Sequence, residues 1–121
     1  MKKIKTLIVD DSSLSRESLK MFLEDRKEIE LVGLLESGEE CVKFVKKTLP
    51  ELIIMDARMP GIDGPTATKD LKKENPDIKV IIFTIWAEQE AKDYAKNCGA
   101  DDYFIKGEPL TLLMEKINNL F

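Results

Sequence analysis

Leu52-Ile53-Ile54-Met55-Asp56 is four apolar residues that end abruptly on a carboxylate. A short unbroken apolar run bounded by turn signals predicts a strand buried on both faces, as in a parallel sheet. Pro50 stands before the run, and Pro60, Gly61, Gly64 and Pro65 crowd the stretch after it. Asp56 is therefore expected where a central strand leaves the core, at the carboxyl edge where open α/β sheets place their sites.

The same pattern recurs three times. Thr6-Leu7-Ile8-Val9 runs into Asp10 and Asp11, Lys79-Val80-Ile81-Ile82-Phe83 into Thr84, and Tyr103-Phe104-Ile105 into Lys106. With helices between them the strands are parallel, and all these ends meet on one rim. Three carboxylates, a hydroxyl and an ammonium then converge there.

The segments between fit helices. Ser12 or Ser13 can cap the first, with Leu14, Met21 and Phe22 facing inward and Arg16, Lys20 and Glu24 outward. Residues 29–35 read as a second strand, weakened slightly by Gly33. Ser37-Gly38 opens a helix whose inner residues are Cys41, Val42 and Val45, with Phe44 beside them. Pro65 suits the first turn of a third helix, which ends by Asn75-Pro76. A fourth covers residues 88–97 and closes on Gly99, and a fifth starts near Pro109 and buries Leu110, Leu113, Met114, Ile117 and Leu120. Strands alternating with helices predict one α/β domain over residues 1–121: a doubly wound, five-stranded parallel sheet of flavodoxin-like order 2-1-3-4-5, with helices on both faces.

Composition narrows the chemistry. The 121 residues carry a formal net charge of −4, which argues against direct nucleic-acid binding, since that needs a basic face. No apolar run approaches a membrane span, and Met1-Lys2-Lys3 leads into a strand and not into a signal peptide. Cys41 and Cys98 fall among apolar neighbours, as buried free thiols of a reducing cytoplasm would. There is no histidine, which excludes Ser-His-Asp and Cys-His catalysis and histidine-ligated zinc. Carboxylates, Lys106, hydroxyls and an oxygen-seeking metal remain.

Three carboxylates on one rim repel one another unless a cation sits between them. Mg²⁺ fits, because it takes a few carboxylate oxygens and keeps waters or phosphate oxygens. Together with Lys106 it brings the formal charge near zero. An added phosphoryl group would find a metal, an ammonium and a hydroxyl donor already arranged, and a carboxylate can itself be the nucleophile that takes it.

Val9-Asp10-Asp11, Met55-Asp56, Met59-Pro60-Gly61-Ile62-Asp63-Gly64, Phe83-Thr84 and Gly99-Ala100-Asp101-Asp102-Tyr103-Phe104-Ile105-Lys106 together resemble the receiver domain of bacterial two-component response regulators, the NarL/FixJ branch most of all. The resemblance runs from Lys5 to Leu120. It implies that Asp56 is the phosphoacceptor, supplied by a phosphohistidine on a sensor histidine kinase or histidine phosphotransfer protein. By the same resemblance Asp10, Asp11, Asp56 and the backbone carbonyl of Arg58 hold Mg²⁺, Thr84 and Lys106 contact the phosphoryl group, and Tyr103 is the switching aromatic. The face formed by helix four, strand five and helix five would then control an output domain or partner protein. Such a domain is not an enzyme beyond catalysing its own phosphorylation and dephosphorylation. It is expected in the cytoplasm, as a monomer or a phosphorylation-dependent dimer.

Each residue has a plainer reading. Asp10 or Asp11 alone could be a helix cap, Thr84 a turn residue, Lys106 a solvated cation and Tyr103 simply core; Asp63 reads best as a turn or cap. Joint occurrence on one rim favours the functional reading. Two positions depart from the receiver pattern. Ile85 and the bulky Trp86 follow Thr84 where a small residue is usual, and Gly107 follows Lys106 where proline is common. Three other functions compete: a degenerate receiver that serves only as a docking module, a flavin-binding flavodoxin, and an aspartate-nucleophile phosphatase of haloacid dehalogenase type. The last needs Asp-x-Asp, whereas Ser12 fills the second position here. A flavodoxin would need a hydroxyl- and glycine-rich phosphate loop in place of Asp10-Asp11.

Overall fold

The central strands are buried on both faces, and a computed structural model describing residues 2–121 shows what covers them. In chain order the elements are β1 (Ile4–Val9), α1 (Ser13–Glu24), β2 (Ile29–Leu35), α2 (Gly38–Thr48), β3 (Leu52–Asp56), α3 (Gly64–Glu74), β4 (Lys79–Thr84), α4 (Glu88–Cys98), β5 (Asp102–Ile105) and α5 (Leu110–Leu120). The strands form one parallel sheet in the order β2-β1-β3-β4-β5, as expected.

Odd and even positions of the central strands feed different cores. Leu7, Val9, Ile53, Met55, Val80 and Ile82 face a layer made by α2, α3 and α4, through Cys41, Val45, Ala67, Leu71, Ala95 and Cys98. Ile8, Ile54, Ile81, Phe83 and Phe104 face α1 and α5, through Leu19, Leu23, Leu113, Met114 and Ile117. Every residue of β3 is buried, which is why that strand reads as a continuous apolar run. Truncating one of its isoleucines to alanine would cost about 2–5 kcal/mol.

Register places the strand ends together. Val9 pairs with Met55, Asp56 with Phe83 and Thr84 with Ile105. Asp10, Asp56, Thr84 and Lys106 therefore leave the sheet at nearly the same height. Gly33 has a packing reason. A Cβ there would stand 2.7 Å from the Phe44 ring and 3.0 Å from Leu7, where the β1–β2 register slips between Thr6 and Leu7.

Helix ends follow the sequence signals. The hydroxyl of Ser12 accepts from the Ser15 N–H and that of Ser37 from the Glu40 N–H. Asp63 caps α3 by accepting from the Thr66 N–H at 2.8 Å, as its plainer reading held. Gly99 closes α4 in the left-handed region. Cys41 and Cys98 are buried free thiols, and burial pushes the Cys41 thiol up to about 12.

The face of α1 differs from the expectation. Leu14 and Met21 are 78% and 65% exposed, while Leu19 and Leu23 are buried and Phe22 is half-buried. Residues 14, 19, 21, 22 and 23 offer two overlapping apolar stripes. The stripe that wins is the i, i+4 pair of leucines, which fills the space over Ile8 and Leu113. This rotation turns Arg16 inward, Lys20 is half-buried, and Glu24 remains exposed.

Candidate functional site

Asp10 is fixed on all sides. It is fully buried, its N–H donates to the Leu35 carbonyl at 3.0 Å, and its own carbonyl accepts from the Arg16 guanidinium at 2.6 Å. One carboxylate oxygen, Oδ1, accepts from the Ser12 N–H at 2.9 Å. The other, Oδ2, is buried and accepts no hydrogen bond among the described residues, although Lys106 Nζ stands 3.1 Å away. That approach is an ion pair without the directionality of a hydrogen bond.

Asp56 lies across from it. Its side chain is almost fully buried, 3.6 Å from Lys106 Nζ, and its Oδ1 accepts weakly from the Arg58 N–H at 3.4 Å. Asp11 is exposed at the mouth. One oxygen from each of Asp10, Asp11 and Asp56 lies within 4.8 Å of the others. Desolvation, reinforced by the neighbouring Asp10, pushes the Asp56 carboxyl up to about 7 against the pull of Lys106. A single ammonium does not balance three carboxylates: at an effective dielectric of 20, each pair of unit charges 4 Å apart interacts by about 4 kcal/mol. The cluster is short of positive charge.

Thr84 is buried at the end of β4, and its hydroxyl oxygen accepts from the Trp86 N–H at 3.1 Å. Lys106 joins the rim from β5: its N–H donates to the Thr84 carbonyl at 2.7 Å, and its ammonium passes 5.1 Å from the centre of the Phe83 ring and 3.4 Å from the Ser15 hydroxyl. Gly107 follows with a positive φ of 100° and no cis peptide.

Tyr103 stands apart from the rim, half-buried on the side that α4 and α5 share. Its hydroxyl donates to Glu88 at 3.0 Å, and Lys116 covers its ring at 4.1 Å while donating to its carbonyl. Arg58 is exposed, and its guanidinium lies over the indole of Trp86 at 5.6 Å. Trp86 in turn packs on Tyr94 of α4, centroids 4.1 Å apart and rings tilted by 35°.

Two supporting residues escaped the sequence reading. Arg16 pins the Asp10 carbonyl and bridges to Glu36 at 3.1 Å; its signal is a basic residue one turn into the helix that follows Asp-Asp. Gly64 lets α3 start against the backbone of Asp56, for a Cβ there would fall 2.1 Å from the Asp56 carbonyl oxygen.

Residues 6–118 match the model of the response regulator receiver domain. Over 118 residues the chain is 36% identical to response regulator GacA of Pseudomonas aeruginosa, covering 98% of this chain and 55% of that protein. Over 115 residues it is 36% identical to transcriptional regulatory protein DegU of Brevibacillus brevis, covering 95% and 49%. The chain thus spans about half the length of these curated relatives. The solved signal receiver domain of a signal transduction histidine kinase from Syntrophus aciditrophicus superposes with a TM-score of 0.83 at 32% identity, covering 97% of this chain and 89% of that one. A LuxR-family two-component response regulator from Aurantimonas sp. reaches 0.91 at 24% identity, covering 98% and 85%, which speaks to the fold alone. The likeness to the NarL/FixJ branch agrees with these relatives. The chain belongs to the response regulator receiver domain family of two-component systems.

Proposed function

We propose that this receiver accepts a phosphoryl group on Asp56 from a sensor histidine kinase or histidine phosphotransfer protein and then alters its α4–β5–α5 face to control an output domain or partner. The observation that carries the reading is the approach of Asp10, Asp11 and Asp56 oxygens to within 4.8 Å, with Lys106 the one cation paired with them among the described residues.

The same residues suit Mg²⁺. Hard carboxylate oxygens are the donors this ion takes, and the buried, unbonded Oδ2 of Asp10 is an oxygen with a lone pair to give. Asp10, Asp11, Asp56 and the Arg58 carbonyl would hold it, and when bound it supplies positive charge for the oxygens of the phosphoryl group. The chain supplies the rest. Asp56 offers the attacking carboxylate oxygen from the end of a rigid strand. Lys106 pairs with one phosphoryl oxygen and the Thr84 hydroxyl, which accepts from the Trp86 N–H and keeps its own proton to give, donates to another. A phosphorylated Asp56 raises the local negative charge, and drawing Thr84 inward opens space beside Tyr103, a local charge biasing a two-state element.

The full set of rim residues supports phosphotransfer over a docking role, and Ser12 in place of a second acidic residue leaves the phosphatase reading without its general acid. Catalysis is confined to the domain's own phosphorylation and dephosphorylation, and a cytoplasmic setting suits the free thiols. Among the described residues no helix is long and apolar enough to cross a membrane.

Incubation with acetyl phosphate and Mg²⁺, followed by intact mass measurement, tests the assignment. One phosphoryl group is expected on the wild type and none on Asp56→Asn; equal labelling overturns it. In parallel, Asp11→Ala is expected to abolish saturable Mg²⁺ binding by calorimetry, and unchanged affinity would place the metal elsewhere.

A further inference from the structure

Three side chains from three segments pack in series where the loops after β3 and β4 meet α4. Arg58, two residues past Asp56, lies on Trp86, two residues past Thr84, and Trp86 lies on Tyr94 in the second half of α4. The β4–α4 connection offers Trp86 little else. Its N–H bonds to the Thr84 hydroxyl, Ala87 provides no side-chain cap, and neighbouring Ile85 is 76% exposed. The indole is half-buried against the core layer and packs on Tyr94, ring centroids 4.1 Å apart.

We propose that Tyr94 is a positioning residue for the phosphorylated state: by holding Trp86 it keeps Arg58 and Trp86 across the approach to phosphorus and so lengthens the life of the aspartyl phosphate. This rests on Asp56 being the phosphoacceptor. In the loss step a water oxygen bonds to phosphorus as the bond from phosphorus to the Asp56 oxygen breaks. The carboxylate leaves with the bonding pair, and dihydrogen phosphate keeps both hydrogens of the water. The incoming oxygen must arrive opposite the breaking bond. Arg58 and Trp86 lie on the two loops that leave the rim after Asp56 and Thr84, with the guanidinium 5.6 Å from the centre of the indole ring. Tyr94 has no contact with the reacting atoms; it acts through the indole.

The stack also makes α4 a shared support. The same helix holds Tyr103 at its start, through Glu88, and Trp86 further along, through Tyr94. A displacement of α4 that follows movement of Tyr103 disturbs the stack, so the state of the output face and the rate of phosphate loss are linked.

The test uses the decay of protein labelled with acetyl phosphate, freed of excess donor, at fixed Mg²⁺. Tyr94 is 44% exposed on a helix, so alanine there keeps the fold. Tyr94→Ala is expected to shorten the half-life about three-fold, in keeping with the strength of an aromatic pair. Tyr94→Phe keeps the ring and is expected to decay at the wild-type rate. Acrylamide quenching of the sole tryptophan, Trp86, gives a readout that needs no phosphate. Quenching is expected to rise in Tyr94→Ala and not in Tyr94→Phe. An alanine variant that decays and quenches as the wild type does overturns the inference while leaving Asp56 as acceptor. Equal acceleration by both variants overturns it too, because the ring would not be the agent. A wild type that takes no label removes the reading of Asp56 itself.

Discussion

Lys106 Nζ lies 3.1 Å from Oδ2 of Asp10, an atom sealed from water and without a directed hydrogen bond. Removing one member of a buried ion pair strands the other, at a cost of about 3 kcal/mol. Lys106→Met is expected to lose about that much stability in metal-free buffer. Saturating Mg²⁺ should recover much of it, because the ion would replace the missing charge. Chemical denaturation with and without Mg²⁺ measures both, and equal losses in the two conditions would show that no cation is shared there.

Asp56 makes the metal-free domain sensitive to pH. Burial and the Asp10 charge hold its carboxyl at about 7, against an ordinary value of 3.8. Between those values the folded chain keeps a proton that the unfolded chain releases, so stability falls as pH rises through this window and levels off above it. Asp56→Asn escapes the penalty. Its melting temperature is expected to exceed that of the wild type by more at pH 8 than at pH 5, and even about 1 kcal/mol of relief is worth roughly 4 °C in a domain of this size. A difference that does not change with pH would mean the wild-type carboxyl titrates normally.

The strands and the rim were legible because each strand is a buried run that stops on a functional residue, and a parallel sheet gives all such residues one edge. Leu52 through Asp56 is the clearest case: no other element tolerates that run between prolines. Helix α1 was not legible in the same way. Its two apolar stripes differ by about one residue of rotation, and only the facing side chains of Ile8 and Leu113 decide between them. Arg16 escaped for the same reason, since its inward turn depends on that rotation. Gly64 looked like any loop glycine until the α3 start was seen against the Asp56 backbone. Long-range contacts, absent from local sequence pattern, settle such cases.

Tyr103 is half-buried, its hydroxyl bonded to Glu88 and its ring under Lys116. In the proposed switch, a move of the ring deeper into the domain must give up both contacts. Glu88→Ala removes one contact, worth about 1 kcal/mol to a charged acceptor near the surface, and so tilts the balance toward the inward state by roughly five-fold. Beryllofluoride, a phosphoryl mimic, should then shift the amide resonances of Tyr103 and α4 at a lower concentration than in the wild type. Shifts confined to Asp10, Asp56 and their neighbours would point instead to a domain that docks without switching.

Arg58 and Trp86 set the last expectation. Both are large, both follow a rim residue by two positions, and they rest against each other with the guanidinium 5.6 Å from the ring centre. Once Asp56 carries a phosphoryl group, the guanidinium can also pair with its oxygens while its stem covers the phosphorus. Water then has to displace ordered side chains before it can attack in line. Excluding one ordered attacking water corresponds to about 1–2 kcal/mol, or roughly ten-fold in rate. Arg58→Ala combined with Trp86→Ala is therefore expected to shorten the half-life of the phosphorylated domain by about ten-fold at fixed Mg²⁺. Slow decay in the wild type suits a sustained response better than a rapid switch. The measurement is the fraction still phosphorylated over time by intact mass, and a double variant that decays no faster than the wild type would show that these side chains leave the approach open.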